Sequence, residues 1–306
     1  MIHPPIHPAL PSSGPAARLL FRFVRVAALA AALVAAAAFA GGGVAAAGID
    51  VTYLGNAGFL VAVGDSKVLV DGLYRDGVKG YATVPDDALG KIEQGKAPFD
   101  GIDLILATHY HADHFDPRSV AQHLVANPKA TFVSTPQAVE RLRAVMDDFD
   151  SIASRVRAVF PAEGESSSFD VGAIKLRVLN LHHGRGSDVE NIGFVVSLGG
   201  ETFAHFGDTQ VDNEEMAPHR LFQEQIDLAF VGYWELQSGT RRRLYHDNVG
   251  ATHIVAMHLP RPDASPSYFG DAATLEEAIA GIRRSMSNVV IFERPLETKH
   301  IAPPAD

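Results

Sequence analysis

Four side chains that can bind metal fall within six positions of one short segment, Thr108-His109-Tyr110-His111-Ala112-Asp113-His114. Neutral imidazole and carboxylate together suit zinc and similar divalent cations. Packed as ordinary core, so many polar groups would be costly without a shared partner. The segment directly follows the apolar run Leu104 to Ala107. Side chains alternate along a strand, so His109 and His111 can point the same way as the chain leaves a sheet. Asp113 and His114 then fall in the turn toward a helix.

One such cluster cannot saturate two ions, and three downstream runs offer the remainder. Leu179-Asn180-Leu181 leads into His182-His183-Gly184. Phe206-Gly207 leads into Asp208-Thr209, and Val255-Ala256-Met257 leads into His258. Each is an apolar run that delivers a ligand-type residue at its C-terminal end. His205 lies inside a run and reads as a hydrogen-bonded core residue.

The elements that must position these residues can be read from pattern. Short β-type runs at Ile49–Leu54, Phe59–Val63 and Lys67–Val70 are punctuated by Gly55, Gly58 and Gly64, as expected for hairpins. Asp103–Thr108 is a compact buried-strand run. Helices are predicted at Pro117–Val125 and at Thr135–Phe149, the latter with Thr135 as cap and Pro136 in the first turn. Further strands are predicted at Ile174–Leu181, Gly193–Leu198, Thr202–Phe206, Leu228–Val231, Ile254–Met257 and Val289–Phe292. A helix follows Thr274 over Leu275–Met286, with Glu277 three residues past the cap. Hairpins come first, then strands alternate with helices, which favours a layered α/β domain. No Pro-, Gly- or Ser-rich linker divides it, and Ala302 to Asp306 read as a frayed tail.

His109, His111, Asp113 and His114 match the HxHxDH motif of the metallo-β-lactamase superfamily. Tyr53-Leu54-Gly55, Phe59-Leu60-Val61 and Val68-Leu69-Val70-Asp71 resemble its opening hairpin. His205-Phe206-Gly207-Asp208-Thr209 resembles its aspartate-bearing strand, and Met257-His258 its last histidine. The resemblance spans residues 49 to about 295 and is nearest to lactonase-like and phospholipase-D-like hydrolases. It implies an α/β fold, the four-layer αβ/βα metallo-β-lactamase sandwich, with metals at one edge. It also implies that His109, His111 and His183 hold a first metal, and that Asp113, His114 and His258 hold a second. Asp208 would bridge the two. His183 is preferred to His182 as the last residue before the glycine turn. Asp71 and Asp103 are expected to orient ligands from behind. Asn56 departs from the histidine that many relatives carry after that glycine.

Two divalent ions about 3.5–4 Å apart would lower the pKa of a bridging water and stabilise an oxyanion. The expected cofactor is therefore a pair of ions, Zn2+ in the first instance with Mn2+ or Fe2+ as alternatives. The expected reaction is hydrolysis of a small ester, lactone or phosphodiester by a metal-bridging hydroxide. Asp113 is the candidate to orient that hydroxide or carry its proton. Three other readings compete: a β-lactamase or amide hydrolase, a mononuclear iron oxidoreductase on the same fold, and a non-catalytic metal-binding protein. Asp208 weighs against the first, because the resemblance implies cysteine or serine there in β-lactamases. The complete second ligand set weighs against the other two.

The basic run Arg241-Arg242-Arg243 follows the polar stretch Gln237-Ser238-Gly239-Thr240, read as a loop. With Tyr233 and Trp234, Arg241 is the candidate wall of a pocket for an anionic small molecule.

Residues 1–47 hold no Asp, Glu or Lys, only Arg18, Arg22 and Arg25, then an apolar run and small residues up to Ala47. That order reads as a secretory signal peptide cleaved after Ala47, which sends residues 48–306 to the periplasm or outside. An uncleaved membrane anchor is the alternative, since the uncharged stretch is near the roughly 20 residues a span needs. The whole chain carries a net −10, and losing three arginines leaves 23 basic against 36 acidic residues, or −13. Such a surface repels nucleic-acid backbones and argues against a general nucleic-acid partner, while leaving room for a local basic patch. There is no cysteine, hence no thiolate ligand or nucleophile. About 260 residues suffice to bury a large core without disulfides.

Overall fold

The structure, a computed structural model, describes residues 48–302. The expected leader, residues 1–47, and the last four residues, 303–306, lie outside the described residues. Among the described residues no helix is long and apolar enough to cross a membrane.

Two seven-stranded sheets face each other. The first is ordered β14-β1-β2-β3-β4-β5-β6 and the second β13-β12-β11-β10-β9-β8-β7. The first comprises β1 (Ile49–Gly55), β2 (Gly58–Val63), β3 (Ser66–Val70), β4 (Leu104–Leu106), β5 (Thr131–Ser134), β6 (Val156–Ala158) and β14 (Thr298–Ile301). The second comprises β7 (Ser166–Val171), β8 (Ile174–Asn180), β9 (Ile192–Leu198), β10 (Glu201–His205), β11 (Leu228–Gly232), β12 (His253–Met257) and β13 (Val289–Ile291).

Strand alternation builds the layers. Val68 and Val70 of β3, with Leu104 and Leu106 of β4, enter the core between the sheets, as do Leu228, Phe230, Val255 and Met257 from the other side. The residues that alternate with them turn outward. Leu69 and Ile105 pack under the helices of the first half, and Ala229, Val231, Ile254 and Ala256 under those of the second. Strands buried on both faces must be apolar at every position, which is why these runs read as continuous rather than alternating. The covering helices are α1 (Asp86–Glu93), α2 (Pro117–Ala126), α3 (Pro136–Ala144) and α4 (Asp150–Ala153) on one side. On the other are α5 (Asn213–Met216), α6 (Tyr233–Gln237), α7 (Gly239–Asn248) and α8 (Leu275–Ser285). The result is the four-layer αβ/βα sandwich.

Several local differences have physical causes. The helix predicted over Thr135–Phe149 stops at Ala144. Asp147 and Asp148 would place negative charge at the negative end of its dipole. Asp148 instead accepts a hydrogen bond from Ser151 N of α4 at 3.3 Å. Four strands beyond those predicted, β5, β6, β7 and β14, complete the sheets. β5 pairs parallel to β4, while the serine-rich β7 and the late β14 are edge strands pairing with β8 and β1. Polar edge strands lack the apolar signature that two-sided burial imposes.

Direction matters most for function. β3, β4 and β5 run parallel, and β2 pairs antiparallel with both β1 and β3, so β1 shares their direction. β10, β11 and β12 run parallel, and β8 joins them through antiparallel β9. The chain therefore leaves β1, β3, β4, β8, β10 and β12 along the same edge of its sheet. Three bonds stitch the two edges together. Ile192 N donates to Thr108 O at 3.0 Å, His258 N to Asn56 O at 3.0 Å, and His205 Nε2 to Ala57 O at 3.0 Å.

Candidate metal centre

All seven proposed ligands leave strand ends at this edge. Their ligand atoms form three overlapping groups in which each atom lies within 4.8 Å of the others: His109, His111 and His183; His109, His114 and Asp208; and Asp113, His114 and His258. Asp208 faces both ways. Its Oδ1 lies 3.2 Å from His114 Nε2 and 3.2 Å from His258 Nε2, and its Oδ2 lies 3.7 Å from His183 Nε2.

The hydrogen bonds behind the ligands assign their tautomers. Asp71 Oδ1 accepts from Thr108 N at 2.8 Å, and Oδ2 accepts from Thr108 Oγ1 at 2.7 Å. Asp71 Oδ2 also receives His114 Nδ1 at 2.8 Å. A carboxylate only accepts, so His114 Nδ1 carries a proton and Nε2 is the nitrogen left to offer a lone pair to a cation. Thr108 Oγ1, having donated its proton, accepts from His109 Nδ1 at 3.0 Å. That in turn leaves His109 Nε2 with a lone pair, 3.0 Å from His111 Nδ1. One carboxylate thus aims two histidines, the outer support that metal-binding imidazoles require.

Backbone strain collects here as well. Asn56, Asp71 and His258 hold positive φ angles of 49°, 46° and 60°, conformations that cost roughly 1–3 kcal/mol each. Gly207, at φ +58°, has no room for a side chain: a Cβ would lie 2.7 Å from Thr108 Cβ and from Asn191 Oδ1. Only glycine lets the β10 exit pass so close to the β4 exit and deliver Asp208. His205 braces that exit, accepting from Gly207 N at 3.2 Å. It is a fully bonded core residue, 0% exposed, outside the ligand set.

The charges divide the centre. Burial first, then the neighbouring imidazole His114, pushes His109 well below the usual histidine range. Burial and His183 push His111 the same way. Burial opposes charge on His114 and His258, but Asp208 together with Asp71 at the first and Asp113 at the second overcomes it and raises both. Burial likewise opposes charge on Asp208, yet His258 and His114 hold its carboxyl well below the carboxylate range.

These residues suit divalent cations. His183 Nε2 and Asp208 Oδ1 are buried and lack a hydrogen-bond partner among the described residues, and facing imidazole nitrogens lie 3.0 and 3.3 Å apart. Nitrogens about 2.1 Å from one tetrahedral zinc stand roughly 3.4 Å from each other.

The remaining expected residues fall in different places. His182 is outside the centre and pairs with Glu215 at 3.1 Å, near Glu163. Asp103 does not orient a ligand. It precedes β4, at the opposite end from the histidines, and its carboxylate accepts from Lys67 N at 3.0 Å. Sequence proximity to the motif misleads here because a strand carries its two ends apart. The stretch Gln237 to Arg243 is not a loop but the junction of α6 and α7. Arg241 is engaged by Glu235 Oε1 at 2.5 Å and Val211 O at 2.7 Å, and Arg242 bonds the carbonyls of Leu236 and Gln237. Tyr233 is buried. Trp234 stands with its ring 5.1 Å from the His258 ring. It also borders a cleft of about 600 Å³ shared with Arg185, Gln210, Asp212, Glu235 and Arg241.

Three contributors carry no ligand signature in the sequence. Asn56, entirely buried, donates through Nδ2 to Asp113 Oδ2 at 3.0 Å. Asn191 ties Leu181 O to Thr209 Oγ1 at 2.9 and 3.1 Å, beside the His183 and Asp208 exits. Tyr81 packs its ring edge-on to His258, centroids 4.4 Å apart. Only the departure of Asn56 from the histidine of similar chains drew notice to that loop.

The beta-lactamase superfamily domain matches residues 83–264. The chain belongs to this superfamily. It is 26% identical over 273 residues to a metal-dependent hydrolase of Heliobacterium modesticaldum, covering 84% of this chain and 96% of the relative. A metal-dependent hydrolase of Pyrococcus furiosus is 29% identical over 191 residues, 60% of this chain and 71% of that one. Among solved structures, a possible metal-dependent hydrolase from Veillonella parvula superimposes with a TM-score of 0.55 at 17% identity. That match covers 83% of this chain and 100% of the other, and it speaks to the shared metallo-β-lactamase fold.

Proposed function

We propose that this member of the superfamily is a metal-dependent hydrolase. His109, His111 and His183 would hold one divalent ion and Asp113, His114 and His258 a second, with Asp208 set between the two groups. The observation that carries this reading is the convergence of seven side chains, spread over 150 residues of sequence, with unpartnered ligand atoms turned toward one another. Divalent ions so held supply an activated water near neutral pH and polarise a carbonyl or phosphoryl oxygen. Zinc suits the histidine-rich donor set.

The chain's own residues do the rest. Asp113, buried and fixed by Asn56, takes the proton released by the attacking water and passes it to the leaving oxygen. Trp234 walls the His258 side and keeps bulk water off it. The cleft beyond Trp234 falls within the roughly 300–1,000 Å³ typical of small-molecule sites. Its arginines are already paired, Arg185 with Asp212 and Arg241 with Glu235. A small ester, lactone or phosphodiester therefore fits better than a substrate selected by strong negative charge. The acidic surface supports a function away from nucleic acids. The order of charged, apolar and small residues before Gly48 supports export, and the exported protein should begin near Gly48 by mass spectrometry.

The decisive experiment is metal analysis of protein purified without chelator. It should be followed by a screen of esters, lactones, phosphodiesters and β-lactams before and after chelation. About two equivalents of metal, with turnover lost on chelation and restored by Zn2+, is the expected result. Turnover that survives complete metal removal would defeat the reading.

A further inference from the structure

His258 is enclosed by aromatic rings from separate segments, Trp234 at 5.1 Å and Tyr81 at 4.4 Å. The Tyr81 ring meets the imidazole almost perpendicularly, at 82°. Its loop is clamped. Arg261 N donates to Gly80 O at 2.7 Å, and Tyr81 bridges antiparallel to Pro260. Tyr268 packs edge-on at 5.4 Å while its own hydroxyl donates to Lys79 O at 2.9 Å. Gly80, at φ +97°, is the residue that lets the Tyr268 ring sit this close, since a Cβ would lie 3.0 Å from it. The neighbouring tyrosines show what such hydroxyls ordinarily do: Tyr74 donates to Ala82 O at 2.9 Å and Tyr268 to Lys79 O. No such partner holds the Tyr81 hydroxyl among the described residues. The ring is only partly buried, so its phenol remains open to a ligand.

We propose that Tyr81 is a catalytic hydrogen-bond donor, its phenol serving the oxygen that gains charge as the substrate is attacked on the His258 side of the centre. The role rests on the metal-dependent hydrolase reading above. A phenol is a donor at any working pH below its ordinary value near 10. In an ester, the water oxygen bonds to the carbonyl carbon and the C=O π pair moves onto oxygen. One water proton passes to Asp113. Tyr81 donates a hydrogen bond to that oxygen and keeps its own proton. The C=O bond then re-forms, the bond to the leaving oxygen breaks, and that oxygen takes the proton from Asp113. A donor held by a two-loop clamp needs no reorganisation when charge develops, and this is the source of its effect.

The test is Tyr81→Phe, which removes one oxygen and leaves the ring against His258. Zinc-loaded wild type and variant are compared in three measurements. These are zinc content, turnover of p-nitrophenyl acetate and bis(p-nitrophenyl) phosphate, and calorimetric binding of inorganic phosphate, a tetrahedral oxyanion that needs no turnover. Equal zinc content and melting temperature are expected, with kcat lower by roughly 10²-fold, the scale of losing one oxyanion donor. KM should change little and phosphate should bind more weakly. A variant that matches the wild type in both turnover and phosphate affinity overturns the role while leaving the metal centre standing. Wild-type protein that takes up no zinc removes the centre itself, and Tyr81 with it.

Discussion

The two halves of the centre are built differently. On one side, His109 is buried, but His111 and His183 are partly open, and each leaves a strand end with little behind it. On the other, Asp113, His114 and His258 are 5%, 1% and 4% exposed. Asp71 grips His114, Asn56 grips Asp113, and Tyr81 and Trp234 flank His258. The open half can exchange ligands with solvent. The closed half is preorganised and carries the positive-φ residues Asn56 and His258, with Asp71 behind it. A rigid half fixes geometry, while the half at His111 and His183 stays accessible to solvent.

Asp208 joins the halves, and its loss should produce the largest effect. Asp208→Ala should lower kcat well beyond the ~100-fold expected for removing an outer support, and should reduce bound metal below two equivalents by elemental analysis. A variant with normal turnover and full metal content would mean that the halves work independently.

Asp71→Asn separates support from ligation. Asparagine tolerates the left-handed backbone but offers a donor where His114 and Thr108 need an acceptor. Zinc affinity at the closed half should fall about 10–100-fold in a competition titration against a chromophoric chelator, with the open half changed less. Equal weakening of both would show that the link through Thr108 to His109 matters as much as the direct contact.

Protonation should distinguish the halves next. His114 and His258 are raised, so without metal their contribution to stability is full below the unfolded value near 6.5. It is lost as pH rises through their folded values. His109 and His111 are lowered, so theirs is present above about 6.5 and lost as pH falls through their folded values. A cation entering the closed half must displace protons that one entering the open half does not. Calorimetry in buffers of different ionisation enthalpy should show proton release at pH 7 and zinc affinity that increases with pH. Asp71→Asn should reduce that release.

The smallest effect on chemistry is expected at Arg241. Arg241→Ala strands the buried Glu235 carboxylate, whose pKa burial already raises. It should cost about 3 kcal/mol, the low end for a broken buried pair because the guanidinium is partly exposed. Metal content should stay unchanged and KM nearly so. A large rise in KM at full stability would return Arg241 to the role of substrate contact.

Much of this was legible in the residues because two strong patterns are local. The HxHxDH segment holds its ligands within one strand exit, where alternation alone aims His109 and His111. The doubly buried strands must be apolar at each position, so their runs announce themselves, and most of their C-terminal exits could be searched for ligands. The polar edges β7 and β14 lack that constraint and went unread. So did the helical junction at Arg241, read as a loop with an arginine for an anionic ligand, whose charges are spent on Glu235 and on carbonyls.

What the sequence determined by itself, then, was the class of chemistry and the strand ends that deliver it. Ligand type and periodicity are properties of neighbouring residues. The tertiary structure alone decided which of two adjacent histidines enters the site, because His183 turns to Asp208 while His182 turns to Glu215. It removed Asp103, carried to the far end of its strand. It brought in Asn56, which meets Asp113 between two exits of the first sheet, and Tyr81, which meets His258 only when the two sheets close face to face. Contacts across a sandwich depend on register and packing between distant segments, and no window of sequence contains both partners.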